Sequence, residues 1–348
     1  MASPMLRGYR SATEHCFHDE QTDAIVRTTT YHRKDFGQSV IWFSPREHVH
    51  ARLSIATPFR QTPRPELGFF TRLPLELLHD VLLRLDMRSL FNLRQANLGL
   101  RQMIDSLTQY QMVASHGLNL LCALLRTRLD ISLLDFYHVL CAKACALCGE
   151  FGGFVSLLTW SRCCFPCLRE ASELQVQTLA AVRKQFHLTK AESEQLKSFK
   201  TLPGTFTMEE SVYKSRIAVV SVHQARVVSR RQPQAQTSAE PANSARNQKF
   251  NFMGSCALPY YDRQTGTVEH GMSCAGCQLA LEKDIIGSRD ENWAYRARDK
   301  VFSRDSFLEH FRWCEQAQLL WISSDEGTRR PPELPEVVRR KGFFNNRE

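Results

Sequence analysis

The tightest constraint on this chain of 348 residues is the spacing of its cysteines. The stretch "CALCGEFGGFVSLLTWSRCCFPC" carries Cys145-x2-Cys148 and Cys164-x2-Cys167, with fifteen residues between the pairs. Two intervening residues let a tight turn aim both sulfurs at one ion about 2.3 Å away, and two such turns complete a tetrahedron. Gly149, Gly152 and Gly153 suit a knuckle in which backbone N–H groups point at sulfur. Cys163 stands four residues before Cys167 and could serve instead on a helix; Cys164 is favoured because it restores the two-residue spacing, and the choice stays open in the sequence. Cys141 is expected in the core.

A second constellation joins "MSCAGCQ" to "SFLEHFRWCEQ", that is Cys274-x2-Cys277 with His310-x3-Cys314. Ser306 and Glu309 read as a capping box opening a helix. Positions four apart share a helical face, so His310 and Cys314 can reach one metal. Both sets supply four ligands, whereas a catalytic zinc keeps a position for water, so two structural zinc ions are expected. Neither arrangement is the interleaved eight-ligand RING pattern.

The surroundings support metal over disulfides. The first residues, "MASPMLRGYRSATEH", lack the apolar run of a secretory signal, so a reducing compartment, cytoplasmic or nuclear, is expected for the 12 cysteines. No window of 18 uncharged apolar residues suggests a membrane span, and 43% hydrophobic content suits a folded chain. The formal charge of +9 is spread along the sequence and reads as a solubilising surface as readily as a binding one.

Periodicity predicts an α+β protein, mainly helical, with two small zinc modules and short hairpins. Residues 1–65 read as a mostly disordered arm. Residues 66–110 read as three short helices, with Pro74 in a first turn, Asp86 capping the second, and Asn97 and Gly99 breaking it. Residues 111–205 hold an apolar helical run and the four-cysteine module. Residues 206–229 form a strand and a helix capped at Ser221. A disordered linker at 230–249, the Cys-Cys-His-Cys module at 250–322 and a loose tail at 323–348 complete the chain.

The segment "LPLELLHDVLLRLDMRSLFNLRQANLGLRQMI", Leu73 to Ile104, is denser in apolar residues than a unit of that size can use internally. It resembles an F-box. The family's Leu-Pro-x-Glu-Leu start stands at Leu73–Leu77, its Leu-Asp turn at Leu85–Asp86, and its "LRQANxxLR"-like middle at Leu93–Asn97 and Leu100–Arg101. Met87 replaces the proline common after the turn, and Met103 the aromatic common near the end. The two cysteine segments, in this order, resemble those downstream in a group of fungal F-box proteins. The resemblance implies a substrate-receptor subunit of a cullin–RING ubiquitin ligase that docks on a Skp-type adaptor through Leu73, Pro74, Leu77, Leu78, Val81, Leu82 and Leu90, and recruits an unknown target protein. Leu100, Met103 and Ile104 are expected to pack internally.

Other classes fare worse. No P-loop, G-x-S-x-G elbow or H-E-x-x-H motif is present, so no catalytic residues are expected. The alternative is a zinc-stabilised nucleic-acid-binding or general protein-interaction protein. Against nucleic acid, "FLEHFRWCEQAQLLW" offers Arg312 alone beside Glu309 and Glu315, whereas a reading helix presents several donors.

Overall fold

The computed structural model describes residues 11–46, 49–56, 72–229, 248–283 and 296–344. Its architecture is mainly helical with small antiparallel sheets, as the periodicity predicts. The N-terminal arm departs from expectation. Helix α1 (Thr22–Thr29) buries Ile25, strand β1 (Thr30–Tyr31) pairs with Ser273–Cys274, and α2 (Lys34–Gln38) leads into the fully buried Val40 and Ile41. These elements are too short to show a period. Their order comes from partners tens to hundreds of residues away, Asn119 and Phe165 as well as Ser273 and Cys274, so local sequence carries almost no sign of it.

After α3 (Val49–Ala56) come three capped helices: α4 (Leu75–Arg84), α5 (Met87–Ala96) and α6 (Leu98–Ser106). Pro74 sits at the N-cap of α4. Asp86 caps α5 by accepting hydrogen bonds from the N–H groups of Arg88 and Ser89. Asn97 ends α5 and starts α6, its Oδ1 accepting from Gly99 and Leu100. A buried pair, Arg94 to Asp105 at 2.6 Å, locks α5 to α6, and Arg94 also donates to the Ser54 carbonyl of α3 at 2.7 Å.

Those helices complete their core with α7 (Thr108–His116), α8 (Leu118–Thr127) and α9 (Leu133–Leu140). Backbone bonds from Met87 to the Ile131 carbonyl and from Leu133 to the Leu85 carbonyl, 2.9 and 3.1 Å, stitch the two sets together. Leu78, Leu82, Leu90 and Ile104 thus share one apolar cluster with Leu120, Phe136 and Leu140.

The same cluster runs on through the first cysteine region. Strand β2 (Phe154–Ser156) lies between β3 (Ser161–Cys163) and a strand from far along the chain, Ser255–Ala257. Helix α10 (Phe165–Glu170) follows. A second sheet sets β4 (Val176–Thr178) and β5 (Ser198–Lys200) on either side of the strand Ala218–Ser221. The boundaries expected near residues 205 and 250 are therefore crossed by hydrogen-bonded sheets. The expected linker lies outside the described residues, except that Gln248 and Lys249 begin a helix spanning 248–253.

The C-terminal module packs α1 against the helices Ala275–Glu282, Arg304–Phe311 and Glu315–Ser323. Gly276 permits this closeness: a Cβ there would lie 2.3 Å from the Ala317 nitrogen. The expected loose tail is also ordered as far as residue 344. Its helix Glu336–Arg340 buries Val338 against Tyr31, Ala275, Leu279 and Leu320. Four distant segments meet at a buried charge cluster. Arg33 grips Asp35 with two nitrogens, at 2.9 and 2.7 Å, and reaches Asp299 at 3.4 Å. Arg169 and Arg298 also bond Asp299, at 3.0 and 2.7 Å, and Phe343 stacks over Arg33.

Removing one member of a buried ion cluster leaves uncompensated charge and costs about 3–5 kcal/mol. Asp299→Ala is expected to lower unfolding stability by that amount in urea titration. Gly276→Ala forces the two helices apart and is expected to cost about 1–3 kcal/mol, read in the same experiment.

Candidate functional site

The first four cysteines converge. The sulfurs of Cys145, Cys148, Cys164 and Cys167 lie within 4.8 Å of one another, and Cys148 and Cys164 are 3.5 Å apart. Sulfurs each about 2.3 Å from a central ion form a tetrahedron with edges of about 3.8 Å. The spacing suits a shared ion and is far beyond a disulfide bond of about 2.05 Å. Each pair is built as expected. Gly149 adopts φ 78° and donates its N–H to the Cys145 carbonyl, closing the first knuckle. Cys164 is the N-cap of α10, and Pro166 helps start that helix one residue before Cys167. The Cys164 thiol donates toward Cys145 and, despite burial, draws the Cys145 thiol down to about 4. A thiolate in a pocket of thiols is an attractive partner for a cation.

The structure also settles which cysteine joins the set. Cys163 ends β3 opposite Phe154 and is completely buried in the main apolar cluster, beside the quartet but not part of it. Successive strand residues point to opposite faces, so Cys163 and Cys164 cannot both turn inward to the same ion. Burial pushes the Cys163 thiol well above its ordinary range, which leaves it a packing residue.

Cys274, Cys277, His310 and Cys314 form the second quartet, again within 4.8 Å. Cys277 Sγ lies 3.3 Å from His310 Nε2, and Cys274 Sγ lies 3.8 Å from Cys314 Sγ. Cys274 caps the helix Ala275–Glu282, its sulfur accepting from the Cys277 N–H at 3.4 Å. The other half differs from expectation. The cap is Ser303 with Ser306 as its reciprocal partner, so the helix begins one turn before the Ser306–Glu309 box. His310 lies in its last turn, and Cys314 caps the next helix. The pair straddles a helix–helix corner instead of sharing a face, yet the tight turn still brings both to the site. Phe302 stacks on the His310 ring at 4.6 Å and fixes its plane. Burial works against charge on His310, but its contacts with the Cys277 and Cys314 sulfurs outweigh it and hold the imidazole up to about 10. A metal ion placed there would take over that proton's role between the sulfurs.

The N-terminal strand belongs to this site as well, since Thr30 pairs with Cys274 and Tyr31 with Ser273. Short range in sequence gave no signal for it.

The expected docking helix divides into two faces. Leu73, Pro74, Leu77 and Val81 are exposed, the three non-proline residues by 44, 57 and 48%. Leu78, Leu82 and Leu90 are not available: each is at most 2% exposed and packs in the main cluster. Their assignment to a partner is corrected. Residues 78 and 82 lie one turn apart on the face of α4 that meets α9, whereas 77 and 81 fall on the neighbouring stripe and 73 precedes the helix. Leu75, exposed by 53%, widens the uncovered end. Leu100 and Ile104 are buried as expected.

Metal analysis of the chain purified without chelator is expected to find two ions per molecule. Cys164→Ala and Cys274→Ala should each leave one ion, and Cys163→Ala should keep both.

Among the described residues no helix is long and apolar enough to cross a membrane. Searches of curated proteins and of solved structures found no match to the chain. Comparison with protein families matched residues 70–111, the segment containing α4, α5 and α6, and the match stops before either cysteine quartet. The chain carries an F-box domain, in residues 70–111.

Proposed function

We propose that this protein is the F-box subunit of an SCF-type ubiquitin ligase, docking on a Skp-type adaptor, and through it on a cullin scaffold, while its remaining surface receives a target protein. The observation that carries the reading is the F-box match together with the bare apolar row Leu73, Pro74, Leu77 and Val81 at the start of that domain. An apolar row turned to solvent costs solubility and is explained by a partner that covers it. The ligase reaction itself would take place on the conjugating enzyme, so no residue here is assigned a catalytic role. The complex would work in the cytoplasm, the nucleus or both.

The two quartets fit structural zinc. Thiolate and imidazole ligands with tetrahedral spacing are the donor set that zinc favours, and four protein ligands leave no position for a reacting water. Zinc binding would then be part of folding free energy, since neither quartet can form in the unfolded chain. Nucleic-acid binding gains no support from Arg312, which is occupied by Glu14 at 2.7 Å and Glu309 at 3.5 Å.

The test is co-expression with the adaptor. Leu77→Asp combined with Val81→Asp changes only exposed side chains, so the variant should keep its melting temperature within about 2 °C and lose at least tenfold in adaptor retention. Full retention by a folded double variant would remove the docking assignment. Bound metal is expected to be zinc by elemental analysis, and chelation should lower the melting temperature.

A further inference from the structure

A cleft of about 290 Å³ opens where the N-terminal arm, helix α8 and the C-terminal module meet; no quartet residue lines it, although Ser273 in its wall adjoins Cys274. Most of its described wall is apolar, from Phe36, Trp42, Phe154, Leu258 and Met272. Its size is at the low end for small-ligand sites, room for one large side chain and not for a folded element.

The polar groups of the wall restrict the guest. Among the described lining residues there is no Asp, Glu or Lys, and the single guanidinium, Arg33, is engaged by Asp35 and Asp299. The three histidines, His32, His116 and His270, are each pushed below their ordinary range by desolvation, so they stand neutral at pH 7. An anionic guest, such as a phosphorylated residue, would find no free positive charge, and a cationic one no negative charge. Asn119 is fully used, accepting from the Phe43 N–H at 3.0 Å and donating to the Ile41 carbonyl at 2.8 Å.

One position asks for a partner and a second offers an acceptor. Ser273 is 1% exposed and its Oγ has no hydrogen-bond partner, an arrangement that buried hydroxyls seldom tolerate. His32 is exposed; its Nδ1 lies 3.2 Å from the Gly271 carbonyl, to which it can only donate, so the neutral ring presents its acceptor lone pair at Nε2 to solvent or to a guest's donor. An aromatic wall with a hydroxyl and an imidazole acceptor matches an aromatic side chain that carries its own donor.

Resting on the receptor role proposed above, we infer that this cleft is the target-recognition site and that it takes an unphosphorylated tryptophan or tyrosine side chain of the target protein. The indole N–H or phenol O–H would meet Ser273 or His32 while the ring lies among Trp42, Phe36 and Leu258.

The test uses the full metal-loaded chain, with N-acetyltryptophanamide, N-acetyltyrosinamide, the phenylalanine analogue and N-acetylphosphotyrosinamide as probes in saturation-transfer NMR. Dissociation constants on the order of 1 mM are expected for the tryptophan and tyrosine probes, with the phosphorylated probe at least tenfold weaker. Gly153 lines the cleft, and a Cβ there would meet only a Phe151 ring carbon, at 4.0 Å. Gly153→Leu should plug the cleft and weaken both probes at least tenfold. Ser273→Ala should weaken them about threefold and leave the phenylalanine probe unchanged; if Gly153→Leu does not fold, this comparison decides alone. Phosphotyrosine binding as tightly as tyrosine, or a folded Gly153→Leu with unchanged affinity, overturns the inference. Adaptor retention is scored on the same samples. Retention without probe binding removes the cleft assignment alone, and probe binding without retention removes the ligase role while leaving a site for aromatic peptides.

Discussion

A charge inside a protein must meet its opposite, and this requirement gathers the ends of the chain. Arg33, Asp35 and Asp299 are each at most 3% exposed. Arg33 and Asp35 belong to the N-terminal segment, Asp299 to the C-terminal module, and Arg169, which also bonds Asp299, follows the first cysteine quartet. Phe343 and Gly342 close over the cluster, and a Cβ on Gly342 would collide with the Asp35 carboxylate. Loss of Asp299 would remove a counter-charge shared by Arg33, Arg169 and Arg298 in a region of low dielectric, so this cluster ties the modules to one another.

That coupling bears on how a small F-box can be stable. Forty residues bury too little surface to stand alone. Here α4 and α5 complete their core with α8 and α9, and the cluster continues through β2 and α10 to the knuckles of the first quartet. One face of α4 is spent on this, at Leu78 and Leu82. The adjoining stripe, with Leu77 and Val81, is left to solvent. The shared core ties this helix to the rest of the molecule, an arrangement in keeping with the receptor role proposed above.

The metal quartets and the cleft are connected in the same way. Strand β1 pairs with Ser273–Cys274, so one short ladder positions a metal ligand, Cys274, beside the unpartnered hydroxyl of Ser273, and continues into His32 and Arg33 of the cleft wall. A metal ion held by that quartet would stabilise the strand that shapes the cleft.

Local chemistry was readable directly. The C-x2-C pairs, the Asp86 and Ser221 caps and the F-box pattern all depend on residues within a few positions of one another, and all stand in the structure. The sequence by itself determined that two four-ligand sets exist, that the protein is mainly helical, and where the F-box lies. Only tertiary structure decided that Cys164 and not Cys163 joins the first quartet, that Leu78, Leu82 and Leu90 face inward while Leu77 and Val81 do not, and that Ile25, Tyr31 and the tail to 344 pack with the C-terminal module while Phe36 to Phe43 join the main cluster. The reason is common to all three. A helical or strand period says which residues share a face, but which face is buried depends on the element that arrives to cover it, and here the covering elements lie tens to hundreds of residues away.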